Sequence, residues 1–326
     1  MLSMSRNRAT TAAIPHNSHV IGARLSLIDR LGPYHKYFLL VPILSILLIF
    51  FAGPLLWLFR VSLYKSAGAS GFGIGGATGH GGGYYIEGTW TLENYARFFT
   101  DSYFLSVLSF TLELAAIITA ITMLLAYPMA YYIYKAGRRL KTILLIFVLL
   151  PKLSNMLVLV YGLQIILAHN GIINGLLLAF GLVNQPVQLV YTLFSVAVGE
   201  ILLIVPYAIF VITAALHTLD PTLRDAARGM GASSFKTFWL ITFPLSLPGA
   251  CVALLITIVW GLGAFVSPAL LGSPNTQTLA LEVPKQTFEN VNWAMGSAIA
   301  FIILALMTLI VLLYNWTVAS RMKWRM

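Results

Sequence analysis

The stretch DAARGMGASSFKTFWLITFPLSLPG, Asp225–Gly249, carries charge, glycine and small residues, yet it lies between two long apolar runs. Its surroundings decide the class of fold. Of 326 residues, 59% are hydrophobic and only 9% charged, whereas a soluble domain carries about 25% charged residues. A helix needs about 20 apolar residues to cross the hydrocarbon of a membrane. Six runs have that character: Tyr37–Phe59, Phe104–Tyr134, Thr142–Ala168, Leu189–Leu216, Leu247–Leu271 and Ala294–Val318. Lipid offers backbone groups no hydrogen bonds, so a span is either a helix or part of a closed barrel. Barrel strands alternate in polarity over about ten residues, and these runs do not alternate. The expected fold is an all-α polytopic membrane protein with six transmembrane helices.

The net charge of +10 suggests nucleic acid until the basic residues are located. Arg6, Arg8, Arg24, Arg30 and Lys36 precede the first run, and Lys135, Arg138, Arg139 and Lys141 lie between the second and third. Arg224, Arg228 and Lys236 lie between the fourth and fifth, and Arg321, Lys323 and Arg325 follow the sixth. The opposite side holds only Lys65, Arg97 and Lys285. Lys and Arg collect in cytoplasmic loops. Both termini, and the Asp225 stretch, are therefore expected in the cytoplasm (N-in, C-in), and no nucleic-acid partner is needed to explain the basicity. The expected organisation is a basic, disordered cytoplasmic leader (1–36), a membrane domain (37–320) and a short basic tail (321–326). The leader does not read as a signal peptide, because Tyr37–Phe59 exceeds the 7–15 residues of a signal core. The single cysteine, Cys251, excludes an intrachain disulfide framework and any cysteine-based metal site.

Between the first two runs lies KSAGASGFGIGGATGHGGGYYIEG, Lys65–Gly88, which contains Gly71-x-Gly73-x-x-Gly76. A dinucleotide fingerprint needs a strand before it and a helix after it, and the sequence suggests neither. The segment reads as a flexible external linker. Trp90–Phe99 follows with apolar residues at helical spacing, suiting a helix on the outer membrane surface. No Gly-x-x-x-x-Gly-Lys-Ser/Thr loop and no His-Glu-x-x-His pattern occurs, and the six histidines are scattered. The chain is expected to perform no covalent chemistry, to bind no metal and to carry no cofactor of its own.

The opening stretch then reads as two short helices. Asp220 before Pro221 suits a helix start, Gly231 suits the turn that ends it, and Ser233 or Ser234 suits a second cap. Phe235, Phe238, Trp239 and Ile241 load the second helix with bulk, and Pro244 and Pro248 are expected to terminate it. Physics alone leaves open an interfacial hairpin resting on lipid headgroups. However, Asp225-Ala226-Ala227, three residues, Gly231, nine residues, Ile241, one residue, Phe243-Pro244 resembles the signature of binding-protein-dependent ABC importer permeases. That pattern is Glu-Ala-Ala, three residues, Gly, nine residues, Ile-x-Leu-Pro. Asp225 replaces the usual Glu and Phe243 the usual Leu, both with chemical character kept.

The resemblance implies a type I ABC importer fold, with residues 220–248 forming a cytoplasmic coupling helix and its flanks between the fourth and fifth spans. It implies coupling through Asp225, Ala226, Ala227, Gly231, Ile241 and Pro244 to a dimer of ATP-binding subunits, which would hold ATP and Mg. It also implies a second permease chain in a heterodimer, an extracytoplasmic solute-binding protein, and a place among the lipids of a bacterial inner membrane. AYPMAYYI (Ala126–Ile133), the segments within Tyr161–Leu182 and PYAIFVITAAL (Pro206–Leu216) resemble the spermidine/putrescine branch, with similarity across roughly Tyr37 to Trp316.

Ionisable groups within membrane spans are costly and usually functional. Glu113, Lys152 and Glu200 lie in the second, third and fourth runs at positions expected near midplane, where transporters bind substrate. Asn155 and Trp260 join them as pathway candidates, and Tyr161, Trp260 and Tyr127 as cation–π partners. One reading is a buried ion pair that fixes helix packing; the other is that the spare carboxylate receives a cationic amine such as putrescine or spermidine. Lys152 instead suits a zwitterion or an anion. Relatives that carry a phosphonate, an opine-like compound or ferric ion share the segments quoted above, so the resemblance also admits those solutes. A proton-coupled secondary carrier using Glu113 and Glu200 is the reading from another class. It leaves the Asp225–Pro244 pattern unexplained.

Overall fold

A computed structural model describes residues 35–66 and 85–319. The basic leader up to residue 34, the Gly71-x-Gly73-x-x-Gly76 pattern and the 321–326 tail lie outside the described residues. Among the described residues, six helical segments are long and apolar enough to cross a membrane: Leu40–Ser62, Ser102–Lys135, Met156–Ala179, Leu193–His217, Ser234–Leu262 and Trp293–Thr317.

The chain divides into two compact units, Met1–Leu58 and Phe59–Met326. The first contains α1 (His35–Leu47), a π-turn (Leu48–Ala52) and the start of α2 (Gly53–Ser62). Pro54 follows the π-turn after one residue, Gly53. A proline ring clashes with the carbonyl four residues back and brings no N–H, and the wider turn absorbs both effects.

The second unit opens with a feature that the all-α reading did not contain. Strand β1 (Tyr64–Ser66) pairs antiparallel with β2 (Tyr85–Trp90). A strand does precede the glycine-rich segment, contrary to expectation, but it returns as an antiparallel pair and not as the parallel unit of a dinucleotide site. Helix α3 (Glu93–Thr100) is tied to this sheet by buried Asn94, whose Nδ2 donates to the carbonyls of Ser62 and Tyr64 at 3.0 and 2.8 Å.

The core is a trio of helices, α4 (Ser102–Lys135), α8 (Leu193–His217) and α11 (Phe243–Leu262), each packed on the other two. Leu114, Ile118, Ala126, Ala130 and Ile133 line the inner stripe of α4 at helical spacing. Small residues let the helices approach. A Cβ added to Gly261 of α11 would lie 2.8 Å from the Ala115 Cα.

Two expected spans are broken. Thr142–Ala168 is not one helix: α5 (Arg138–Leu153) ends, and α6 (Met156–Leu167) and α7 (Ile172–Ala179) follow. Asn155 is extended (φ −63°, ψ 137°), and its side chain accepts from the Leu157 N–H at 2.8 Å, which caps a new helix. Lys152 is consequently one residue from a helix end and not in mid-helix. Leu247–Leu271 likewise stops at Leu262 and resumes as α12 (Val266–Leu271). At its other end the fifth span runs continuously from α10 (Ser234–Thr237) through a π-turn (Phe238–Thr242) into α11. Pro244 and Pro248 do not terminate it. Pro244 occupies the first turn of α11, where a missing N–H is tolerated. The chain closes with α13 (Leu279–Pro284), a π-turn (Lys285–Glu289), α14 (Trp293–Tyr314) and a π-turn (Asn315–Ala319).

Candidate functional site

The polar stretch forms a knuckle between α8 and α11. Helix α9 (Pro221–Gly229) starts at Asp220, whose Oδ1 accepts the Thr222 N–H at 2.9 Å. That hydrogen bond holds the Asp220 carboxyl below its ordinary range. Gly231 has φ +83°, a left-handed conformation that glycine enters freely, and its N–H closes the helix on the Arg228 carbonyl at 2.9 Å. Ser233 caps α10 by accepting from the Lys236 N–H.

Of the motif residues, Ala227 is buried, Ile241 is half-buried, and Asp225, Ala226, Gly231 and Pro244 are exposed. Met230 and Phe235 are 83% and 72% exposed on the same knuckle. Neither side chain is covered by the rest of the described chain. The knuckle is joined to α4 by aromatic packing: Phe238 lies 4.7 Å from Tyr131, and Phe243 5.5 Å from Tyr127 between ring centroids. The Tyr127 hydroxyl shares a 2.6 Å hydrogen bond with Ser246.

A second feature lies within the helices. A cavity of about 600 Å³ is lined by Met156, Glu200, Leu203, Val259, Trp260 and Phe265, among others. Glu200 is only 2% exposed, and a carboxylate so placed needs hydrogen bonds or a counter-charge. Its Oε2 accepts from Trp260 Nε1 at 2.8 Å and its Oε1 from the Ser267 N–H at 3.3 Å. Ser267 is held there by its own hydroxyl, which donates to the Val196 carbonyl at 2.8 Å.

Lys152 reaches the same group of residues from α5. Its Nζ stands 4.1 Å from the Tyr207 ring centroid and 5.5 Å from that of Trp260, within the range of a cation–π contact. Among the described residues, ion pairs within 4.0 Å join Lys65 to Glu93 and Lys285 to Glu282, not Lys152 to Glu200. The arrangement is ammonium, aromatic face, indole N–H, carboxylate.

Lys152, Glu200 and Trp260 are thus brought together, whereas Glu113 and Asn155 are not. Glu113 is exposed on α4, because burying Leu114, Ala115 and Ile118 turns its position about 100° away from the core. Asn155 spends its carbonyl oxygen as a helix cap. Tyr161 is 51% exposed and Tyr127, on α4, packs against Phe238, Phe243 and Ser246, so the ring beside Lys152 besides Trp260 is that of Tyr207.

A buried acid went unread in the sequence. Glu282 is fully buried, accepting from the Tyr103 hydroxyl at 2.9 Å and Gln286 Nε2 at 2.7 Å, with Lys285 at 3.6 Å. Its signal was Glu, Lys and Gln at i, i+3 and i+4 of one helical turn, outside the long apolar runs.

Residues 122–323 match the family described as binding-protein-dependent transport system inner membrane component. The chain belongs to this family. The matched region contains both the knuckle and every residue around the cavity, and the chain is accordingly an ABC importer permease. It is 30% identical to the spermidine/putrescine transport system permease protein PotB of Escherichia coli (strain K12) over 238 residues, 73% of this chain and 86% of that one. The protein of the same description from Haemophilus influenzae is 30% identical over 224 residues, 69% of this permease and 78% of the relative. Among solved structures, a chain of a bacterial ABC transporter involved in import of the acidic polysaccharide alginate superposes with a TM-score of 0.66. It is 18% identical, covering 90% of this permease and 97% of that chain. The likeness establishes a shared fold.

Proposed function

We propose that this permease forms the translocation pathway for a polyamine, spermidine or putrescine, in an importer driven by ATP hydrolysis on separate subunits. The observation that carries the solute is the cavity with Glu200 in its wall. A buried carboxylate with an indole N–H on one side and aromatic faces nearby suits an ammonium group. The 30% identity to spermidine/putrescine permeases supports the same class. The knuckle supports the drive. Asp225, Ala226, Gly231 and exposed Met230 and Phe235 stand outward on a capped hairpin, a surface suited to a dimer of ATP-binding subunits that carry ATP and Mg. The charge distribution supports a cytoplasmic side for the knuckle and both termini; a second permease chain would stand beside this one and a binding protein would deliver solute from outside.

A second reading has its own observation. Lys152 beside Glu200 suits a zwitterion, whose ammonium would meet Glu200 and whose carboxylate would meet the lysine. Uptake of labelled spermidine in cells carrying the complete system, against anionic and zwitterionic competitors, separates the two. Spermidine uptake that only amines inhibit, and that Glu200→Gln reduces at least about tenfold at unchanged protein level, is the expected result. Preference for an anion, with Lys152 essential and Glu200 dispensable, would overturn the polyamine reading.

A further inference from the structure

A lysine in the pathway of a cation importer demands an explanation, and its geometry supplies one. Lys152 Nζ sits over the faces of Tyr207 and Trp260, at 4.1 and 5.5 Å from the ring centroids. Trp260 is the same residue whose Nε1 binds Glu200. A primary ammonium already occupies the aromatic surface beside the buried carboxylate, which is where an arriving amine finds its best contacts.

We propose that Lys152 is a resident surrogate for the solute's ammonium group: it fills the cation position between deliveries, and an entering amine displaces it. The inference rests on the amine reading of the preceding section.

Three observations make displacement workable. Lys152 is one residue from the end of α5, before the extended Ser154–Asn155 link, so its backbone sits at a break and not in a continuous helix. The side chain is only half-buried, and four methylene groups let the ammonium swing clear without moving the helix. No ion pair within 4.0 Å fastens it to Glu200, so the contacts to be broken are those with the two rings. Two like charges on the same rings repel strongly in a site of low polarity, so lysine and solute alternate there. The consequence is a site that is never left as an uncompensated buried carboxylate, and one whose affinity for the amine is held low enough for release. A translocation site must let go of what it binds.

The test is equilibrium binding of labelled spermidine to the full transporter, purified with its co-expressed partner subunits through a tag on this chain. Lys152→Met removes the competitor and is expected to tighten binding about tenfold, within the span that cation–π contacts cover. Lys152→Arg keeps a cation and is expected to bind as the unaltered protein does. Equal or weaker binding by Lys152→Met, with Glu200→Gln still abolishing binding, would overturn the surrogate role while leaving the amine reading intact. Absence of spermidine binding in every form, with an anion bound instead, would overturn the amine reading and the surrogate role with it. Should Lys152→Met fail to assemble, the unaltered transporter still decides. Acylation of Lys152 by an amine-directed reagent in large excess over spermidine, read by peptide mass spectrometry relative to Lys135 and Lys141 of the same chain, is expected to rise when spermidine is added. Unchanged or reduced acylation would contradict displacement.

Discussion

At the scale of single residues, Trp260 links the cavity's parts. Its ring face carries the Lys152 contact and its N–H serves Glu200. The two roles can be separated. Trp260→Phe keeps an aromatic face and removes the N–H, leaving Glu200 with the longer Ser267 hydrogen bond of 3.3 Å. A hydrogen bond to a charged group contributes about 1.5–3 kcal/mol. The variant is expected to lose stability by about that amount in thermal unfolding in detergent, with uptake reduced further than protein level. Unchanged stability and uptake would show that the indole N–H is not needed. Lys152 and Glu200 were legible in the sequence, because an ionisable residue in an apolar run is conspicuous, and Trp260 was legible as an aromatic within such a run able to meet a cation. Tyr207 was not, since one tyrosine among fifteen gains meaning only from the rotation of α8 that points it at Lys152. Glu113 was equally conspicuous, but one step of helix rotation places it outside this group.

At the scale of elements, glycines at two kinds of position should respond differently. Gly231 has φ +83°, and a Cβ there meets no atom of this chain within 4 Å. Gly231→Leu strains the turn by about 1–2 kcal/mol and directs its bulk at whatever docks on the knuckle. Gly261 faces the Ala115 backbone, so Gly261→Leu overpacks the junction of α4 and α11 at a cost of about 1–3 kcal/mol or more. Fluorescence-detected gel filtration with uptake should find Gly231→Leu inserted but inactive, and Gly261→Leu depleted or aggregated. Normal uptake by well-expressed Gly231→Leu would remove the knuckle from the drive. The caps at Asp220 and Ser233 and the turn at Gly231 were readable because cap and turn chemistry is local. The breaks at Ser154–Asn155 and Gly263 were not, because apolar length does not register where a helix stops and restarts, whether a side chain caps the new helix, as Asn155 does, or none does, as at Phe265. The prolines misled for a related reason. Pro244 stops an ordinary helix, but a π-turn before it lets the chain pass through.

At the scale of the whole molecule, six apolar segments and a family match over residues 122–323 make this chain a permease subunit. The class was legible because hydropathy and charge placement are global signals. The small β1–β2 sheet was hidden, since three- and six-residue strands flanking a glycine-rich segment carry little pattern. The proposed function divides the labour: this chain provides the passage and another provides the energy. Reconstitution into liposomes tests it most directly, using the purified chain alone and, in parallel, the assembly co-purified with its partner subunits. Labelled spermidine should accumulate only in liposomes holding the complete assembly, solute-binding protein outside and ATP on the side of the knuckle, and the chain alone should bind no ATP. Accumulation by the chain alone along a proton gradient, with ATP absent, would contradict this division of labour.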